Sequence, residues 1–258
     1  MTQPRLLRFW VVFAITTVPF YLWGALTDGE LDLAGARLPI SALMFVCPAL
    51  AALAAGGGRD AAGQRMRTPP RALWLIVALV VPSVLVLVAS IAVAGTGPSG
   101  ISVSLVAVTG AYFVAAVCEE LGWTAVLMPA LLRTRGVLST GAVIGAIWAL
   151  WHLIPYVQAG YGSAMLLGQL AFTVVFRMLL VQMTVAGGGA PIIAVVGHAS
   201  SNVAWTLLAA SGIYSPVASA VAVGVAVLVL TCLRVASRRV EGADSPPPPR
   251  TTNPETSQ

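Results

Sequence analysis

Runs of about 20 apolar residues recur along almost the whole chain, separated by short connections rich in Gly, Pro or Arg. As a helix, a run of that length crosses a hydrocarbon core of about 30 Å with its backbone polar groups satisfied internally. Composition agrees: 58% of the 258 residues are hydrophobic and 9% are charged, against roughly a quarter charged in a soluble domain. A water-soluble globule is excluded. The runs fall at 9–26, 38–55, 72–94, 102–131, 138–155, 162–184, 190–210 and 215–233. They predict an all-α polytopic membrane protein of about eight transmembrane helices, the first retained rather than cleaved as a signal peptide, because no A-x-A-like site follows it. From about residue 238 the Pro-rich tail has too little apolar content to pack and is expected to be disordered.

Every one of the 14 basic residues is Arg, and 9 acidic residues leave a net charge of +5. Excess basic charge in a membrane protein collects in cytoplasmic connections. Arg59, Arg65, Arg67 and Arg71 follow the second run, Arg133 and Arg135 the fourth, and Arg234, Arg238 and Arg239 the last. The other connections hold Asp28, Glu30, Asp32 and Arg37 and are otherwise uncharged. Both termini are therefore expected in the cytoplasm, with the chain in the plasma membrane. Lipid is the expected environment, and the modest charge excess gives no reason to expect a nucleic-acid partner. Cys47, Cys118 and Cys232 lie inside apolar runs without CxxC spacing, which argues against a disulfide framework.

Five ionisable residues remain that cannot reach water from a loop or a helix end: Glu119, Glu120, His152, Arg177 and His198. Each costs at least about 2.5–3.5 kcal/mol near a membrane centre, so such groups face the bundle interior and mark function. Gly141, Gly145, Ala149 and His152 follow one stripe of their helix, and the small residues permit close packing. His198 and Asn202 are one turn apart on one face. Glu119 and Glu120 diverge by about 100°, so one is expected at the site while the other holds a neighbouring helix.

The segments Glu119-Glu120-Leu121-Gly122-Trp123-Thr124, Trp148-Ala149-Leu150-Trp151-His152 and His198-Ala199-Ser200-Ser201-Asn202 resemble, in order and spacing, the three motifs of the CPBP (CAAX protease and bacteriocin-processing, or Abi) family. The resemblance covers roughly residues 100–210. It implies a four-helix catalytic core at 101–210, preceded by helices 1–3 within 1–100 and followed by a last helix at 211–237. It also implies an intramembrane endopeptidase acting on a membrane-associated peptide or protein, with Glu119, Glu120, His152, His198 and Asn202 as catalytic residues. Thr124 stands where the family pattern EExxxR has Arg. Arg177 is a candidate for the missing positive charge, the alternative being that it snorkels to the headgroups.

Two chemistries fit these residues. Glu119, His152 and His198 form a two-His, one-carboxylate set of the kind that binds catalytic zinc. Without a metal, Glu119 activates water as a general base while the His and Asn side chains serve as oxyanion donors. The competing functions are a non-catalytic membrane scaffold or immunity protein, suggested by Thr124, and a transporter. The absence of internal repeats counts against the transporter.

Overall fold

The computed structural model describes residues 3–27, 29–33, 36–55, 63–100 and 104–243. Helix α1 (Gln3–Leu26) leads into a hairpin of β1 (Glu30–Leu33) and β2 (Ala36–Pro39), paired antiparallel with Leu31 opposite Leu38. A 3₁₀ segment, Ile40–Val46, continues as α2 (Cys47–Ala54), followed by the short α3 (Gly63–Met66). Next come α4 (Ala72–Ala94), α5 (Ser104–Gly122), a π-helical turn (Trp123–Leu127), α6 (Met128–Leu131), α7 (Val137–Gln158), α8 (Ser163–Ala186), α9 (Pro191–Ala210) and α10 (Pro216–Ala243). Among the described residues, seven helices are long and apolar enough to cross a membrane. The architecture is all-α and polytopic, as expected.

The run at 38–55 departs from a full transmembrane helix. Its first residues belong to β2, and the remainder comprises seven residues of 3₁₀ helix and eight of α-helix. The 3₁₀ rise of about 2 Å per residue stretches this segment to roughly 26 Å. Its start lies beside the end of α7, where Ser41 hydrogen-bonds Gln158, and Pro48 packs on Gly122. The hairpin is an addition to the helical expectation. Its Glu-Leu-Asp-Leu alternation has the strand period of two. At the other extreme α10 continues to Ala243, past the expected boundary at 237. Residues 244–258, most of the tail expected to be disordered, lie outside the described residues, as do Asp28 and Arg59.

Three prolines inside the bundle show how the helices are locked together. A proline has no N–H and frees the carbonyl four residues earlier, which must find another donor in an apolar medium. Pro82 frees Ala78, whose carbonyl accepts from the Ser200 hydroxyl of α9 at 3.3 Å. Pro155 frees Trp151, whose carbonyl accepts from the Tyr21 hydroxyl of α1 at 2.5 Å. Pro129 frees Ala125, whose carbonyl accepts from Arg65 at 3.3 Å. Each of these three breaks thus becomes a tie to another element.

Small residues set the closest helix pair. A Cβ on Gly141 would lie 2.7 Å from the Met178 Cα, and one on Gly145 would lie 2.8 Å from the Val174 carbonyl oxygen. Only glycine permits α7 and α8 to approach this far.

The connections sort to two ends of the bundle. At one end Arg71 bonds the carbonyl of Ala186 at the end of α8, and Arg234 of α10 bonds that of Gln182. Arg133 and Arg135, which precede α7, belong to the same end. At the opposite end Ser99 meets Ser211, Ser90 meets Ser215, and Gln158 bonds the carbonyl of Tyr21. The hairpin and the α7–α8 and α9–α10 turns lie there.

Candidate active site

Glu119 and Glu120 end the regular part of α5, one turn before it widens into the π-helical turn. Pro129 removes the N–H that would bond Ala125, and the Met128 N–H reaches back five residues to the Trp123 carbonyl instead. The turn buries Trp123 through Leu127 and directs the Thr124 hydroxyl onto Glu120.

The two glutamates have different surroundings. Glu120 is fully buried and both its oxygens are saturated. Oε2 accepts from the Thr124 hydroxyl at 2.5 Å and from Arg177 at 2.7 Å, while Oε1 accepts from Arg177 at 3.0 Å and from His198 Nδ1 at 2.9 Å. It therefore ties α5 to α8 and α9. Glu119, rotated by about 100°, accepts a 2.7 Å bond from the Trp148 indole N–H and faces a cavity. Glu120 thus bonds to neighbouring helices while Glu119 lines the cavity. Arg177 is also resolved: it has no exposure and forms a bidentate pair with Glu120 rather than snorkelling.

Trp148 is the plate on which the cluster is assembled. The Arg177 guanidinium carbon lies 4.0 Å from its ring centroid, a cation–π contact. The His152 and His198 rings meet it edge-on at centroid distances of 5.4 and 5.0 Å. The Nδ1 of His152 lies 3.0 Å from the Trp148 carbonyl, an acceptor, so Nδ1 carries the proton and the neutral ring's lone pair is on Nε2. The Nδ1 of His198 likewise faces an acceptor, the Glu120 carboxylate.

A cavity of about 980 Å³ runs from Glu119, His152, Ser201 and Asn202 to the hairpin end of the bundle. Glu120 and His198 lie outside its lining. His152, Tyr156 and Tyr161 form a column of stacked rings along one wall, at centroid spacings of 5.5 and 5.3 Å. Beside it, the Tyr214 hydroxyl donates to Gln169 at 2.7 Å, and the Gln169 amide donates to the Tyr156 hydroxyl at 3.3 Å. Burial pushes the phenols of Tyr161 and Tyr214, in the turns after α7 and α9, well above their ordinary range, so both remain neutral. Sequence reasoning missed this wall. Only the fold brings Tyr156 of α7, Gln169 of α8 and Tyr214 of the α9–α10 turn together.

The residue types of the expected zinc set, Glu119, His152 and His198, are chemically suitable for a metal; among the described residues no group of three or more His, Cys, Asp or Glu side chains is drawn together in a metal-binding arrangement.

A family model described as Type II CAAX prenyl endopeptidase Rce1-like matches residues 72–204. That is just over half of the chain and includes α4, which lies upstream of the motifs and packs along α9. No curated protein matches.

Proposed function

The chain belongs to the Rce1-like family of type II CAAX prenyl endopeptidases, and from that premise we propose that it hydrolyses a peptide bond with water activated by Glu119. Family membership supplies the coarse statement: an integral membrane protein of an intramembrane protease family, whose substrate is a peptide or protein. The finer reading is supported chiefly by the contrast between the glutamates. Glu120 has two donors on each oxygen and is held for structure, whereas Glu119 has a single indole donor and faces the cavity that also holds His152 and Asn202.

Glu119 takes a proton from water as the water oxygen bonds to the substrate carbonyl carbon. His152, with its lone pair on Nε2, accepts the second water hydrogen and orients the attack. The Asn202 amide donates to the oxygen that develops negative charge. As the C–N bond breaks, the proton held by Glu119 passes to the leaving amine, giving one carboxylic acid and one amine product. Glu120 fixes His198 through Nδ1, and Trp148 fixes Glu119. Both act as positioning residues. The departure at Thr124 ceases to favour a non-catalytic scaffold, because Arg177 supplies the positive charge at Glu120 that the family pattern draws from position 124.

The test is cleavage of membrane peptides by purified wild type and Glu119→Gln. The variant should lose roughly 10²- to 10⁴-fold in rate, the usual contribution of a general base, with thermal stability near wild type. Undiminished cleavage would remove Glu119 from the mechanism. No cleavage by wild type of any membrane peptide would favour the scaffold.

A further inference from the structure

We infer that the catalytic chamber opens to the non-cytoplasmic side of the membrane and takes extracytoplasmic segments of membrane-anchored polypeptides as substrate. The inference rests on the peptidase reading for its substrate. Its access side is supported independently by two observations.

The first is where the chamber ends. Its outer lining comes from Asp32 in the hairpin, Ala159 and Tyr161 at the α7–α8 turn, and Gly212 and Tyr214 at the α9–α10 turn. All of these connections lie at one end of the bundle. None of the lining residues comes from the connections at the other end, at 63–71, 132–136 or 187–190. The route from this end of the bundle to Glu119 along the chamber passes the hairpin and the stacked Tyr156–Tyr161 pair.

The second is where the arginines lie. Arg5, Arg8, Arg65, Arg67, Arg71, Arg133, Arg135, Arg234, Arg238 and Arg239 all belong to the end remote from the chamber mouth, against Arg37 alone in the connections at the mouth. Short connections rich in Arg remain cytoplasmic. With the arginine end inside, the hairpin end faces outward. The even number of traverses, counting the Ile40–Ala54 segment, returns α10 to the end at which α1 begins. Both termini are then cytoplasmic and the chamber is not.

The experiment is thiol labelling in right-side-out membrane vesicles with a membrane-impermeant maleimide. It needs a cysteine-free chain (Cys47→Ala, Cys118→Ala, Cys232→Ser) carrying one new cysteine. Ala159→Cys reports the mouth, Ala115→Cys the chamber wall one turn before Glu119, and Thr134→Cys the arginine end. Ala159→Cys and Ala115→Cys should label as fully in sealed vesicles as in permeabilised ones, and Thr134→Cys only after permeabilisation. The reverse pattern, or equal labelling of all three in sealed vesicles, overturns the inference. Reporter fusions after Thr134 and at the C-terminus of the unsubstituted chain provide a second measurement, independent of how the cysteine-free chain folds. Both must report cytoplasm, and an external signal from either overturns the inference. None of these readouts uses cleavage, so an inactive protein with an outward chamber would defeat only the peptidase reading.

Discussion

Arg177 on α8 grips both carboxylate oxygens of Glu120 on α5, at 2.7 and 3.0 Å, with neither side chain exposed. In an apolar bundle such a pair is tolerated only when the remaining hydrogen-bonding capacity is filled, and Thr124 and His198 fill it for Glu120. The arginine expected one turn after Glu120 on the same helix is thus replaced by one from another helix. The hydroxyl at position 124 serves the same carboxylate from the original side.

Arg177→Met should therefore strand a buried carboxylate and destabilise the fold by about 3–5 kcal/mol, the scale for breaking a buried pair. Thermal unfolding in detergent measures it. Adding Thr124→Arg to Arg177→Met should recover part of the loss, because the vacated volume admits an arginine from the π-helical turn. If the double variant is less stable than Arg177→Met alone, Thr124 and Arg177 are not exchangeable sources of charge.

Glu120→Gln offers a contrast with Glu119→Gln. It keeps the size but leaves Arg177 as a buried charge without its counter-ion and turns one acceptor oxygen into a donor facing a donor. Its main effect should be a lowered unfolding temperature, with cleavage lost in proportion to folded protein. A variant of unchanged stability that loses cleavage more completely than Glu119→Gln would require the roles of the two glutamates to be exchanged.

Much of this arrangement is legible in the sequence because the membrane removes alternatives. An ionisable residue mid-helix must face inward, which assigns Glu119, His152 and His198 to one interior before any coordinates. The 100° step between neighbours implies different partners for Glu119 and Glu120. Which of the two faces the cavity is not legible, since that depends on helix rotation, and rotation is fixed by packing such as Pro48 against Gly122. The choice for Arg177 between Glu120 and the headgroups depends on depth, which run boundaries good to a few residues do not give. The segment at 38–55 differs in kind from its expectation because its apolar content is that of a crossing helix, while Pro39 and Pro48 bound a 3₁₀ stretch that composition cannot distinguish.

Trp148→Phe isolates the indole N–H. The ring stays, but Glu119 loses its 2.7 Å donor. A hydrogen bond to a charged group contributes about 1.5–3 kcal/mol, so turnover should drop about ten- to a hundredfold with KM little changed. Steady-state kinetics on one peptide decides it. A change confined to KM would place Trp148 in substrate binding instead.

Removing metal separates the two chemistries that the residues allow. With glutamate as base and no converging metal group among the described residues, protein stripped by chelator and verified by elemental analysis should cleave at the untreated rate. Loss of cleavage restored by stoichiometric zinc would mean that Glu119, His152 and His198 close onto a metal on binding it, which predicts a raised unfolding temperature in zinc as well.

The close approach of α7 and α8 gives the last prediction. A Cβ at Gly145 would sit 2.8 Å from the Val174 carbonyl oxygen, 2.9 Å from its Cα and 3.2 Å from the Arg177 Cβ. Two of these atoms are backbone, so the helices themselves must separate, at about 1–3 kcal/mol for overpacking. Trp148 lies three residues along α7 and Arg177 belongs to α8, so the separation also opens the 4.0 Å contact between them. Gly145→Ala should accordingly lower both the unfolding temperature and turnover. Gly224 in α10 is the control, since nothing lies within 4 Å of its Cβ position. Gly224→Ala should stabilise by about 0.5–1 kcal/mol through helix propensity alone and leave turnover unchanged. If Gly145→Ala behaves like Gly224→Ala, the α7–α8 contact is looser than the geometry requires, and the positioning of Trp148 against Arg177 does not depend on it.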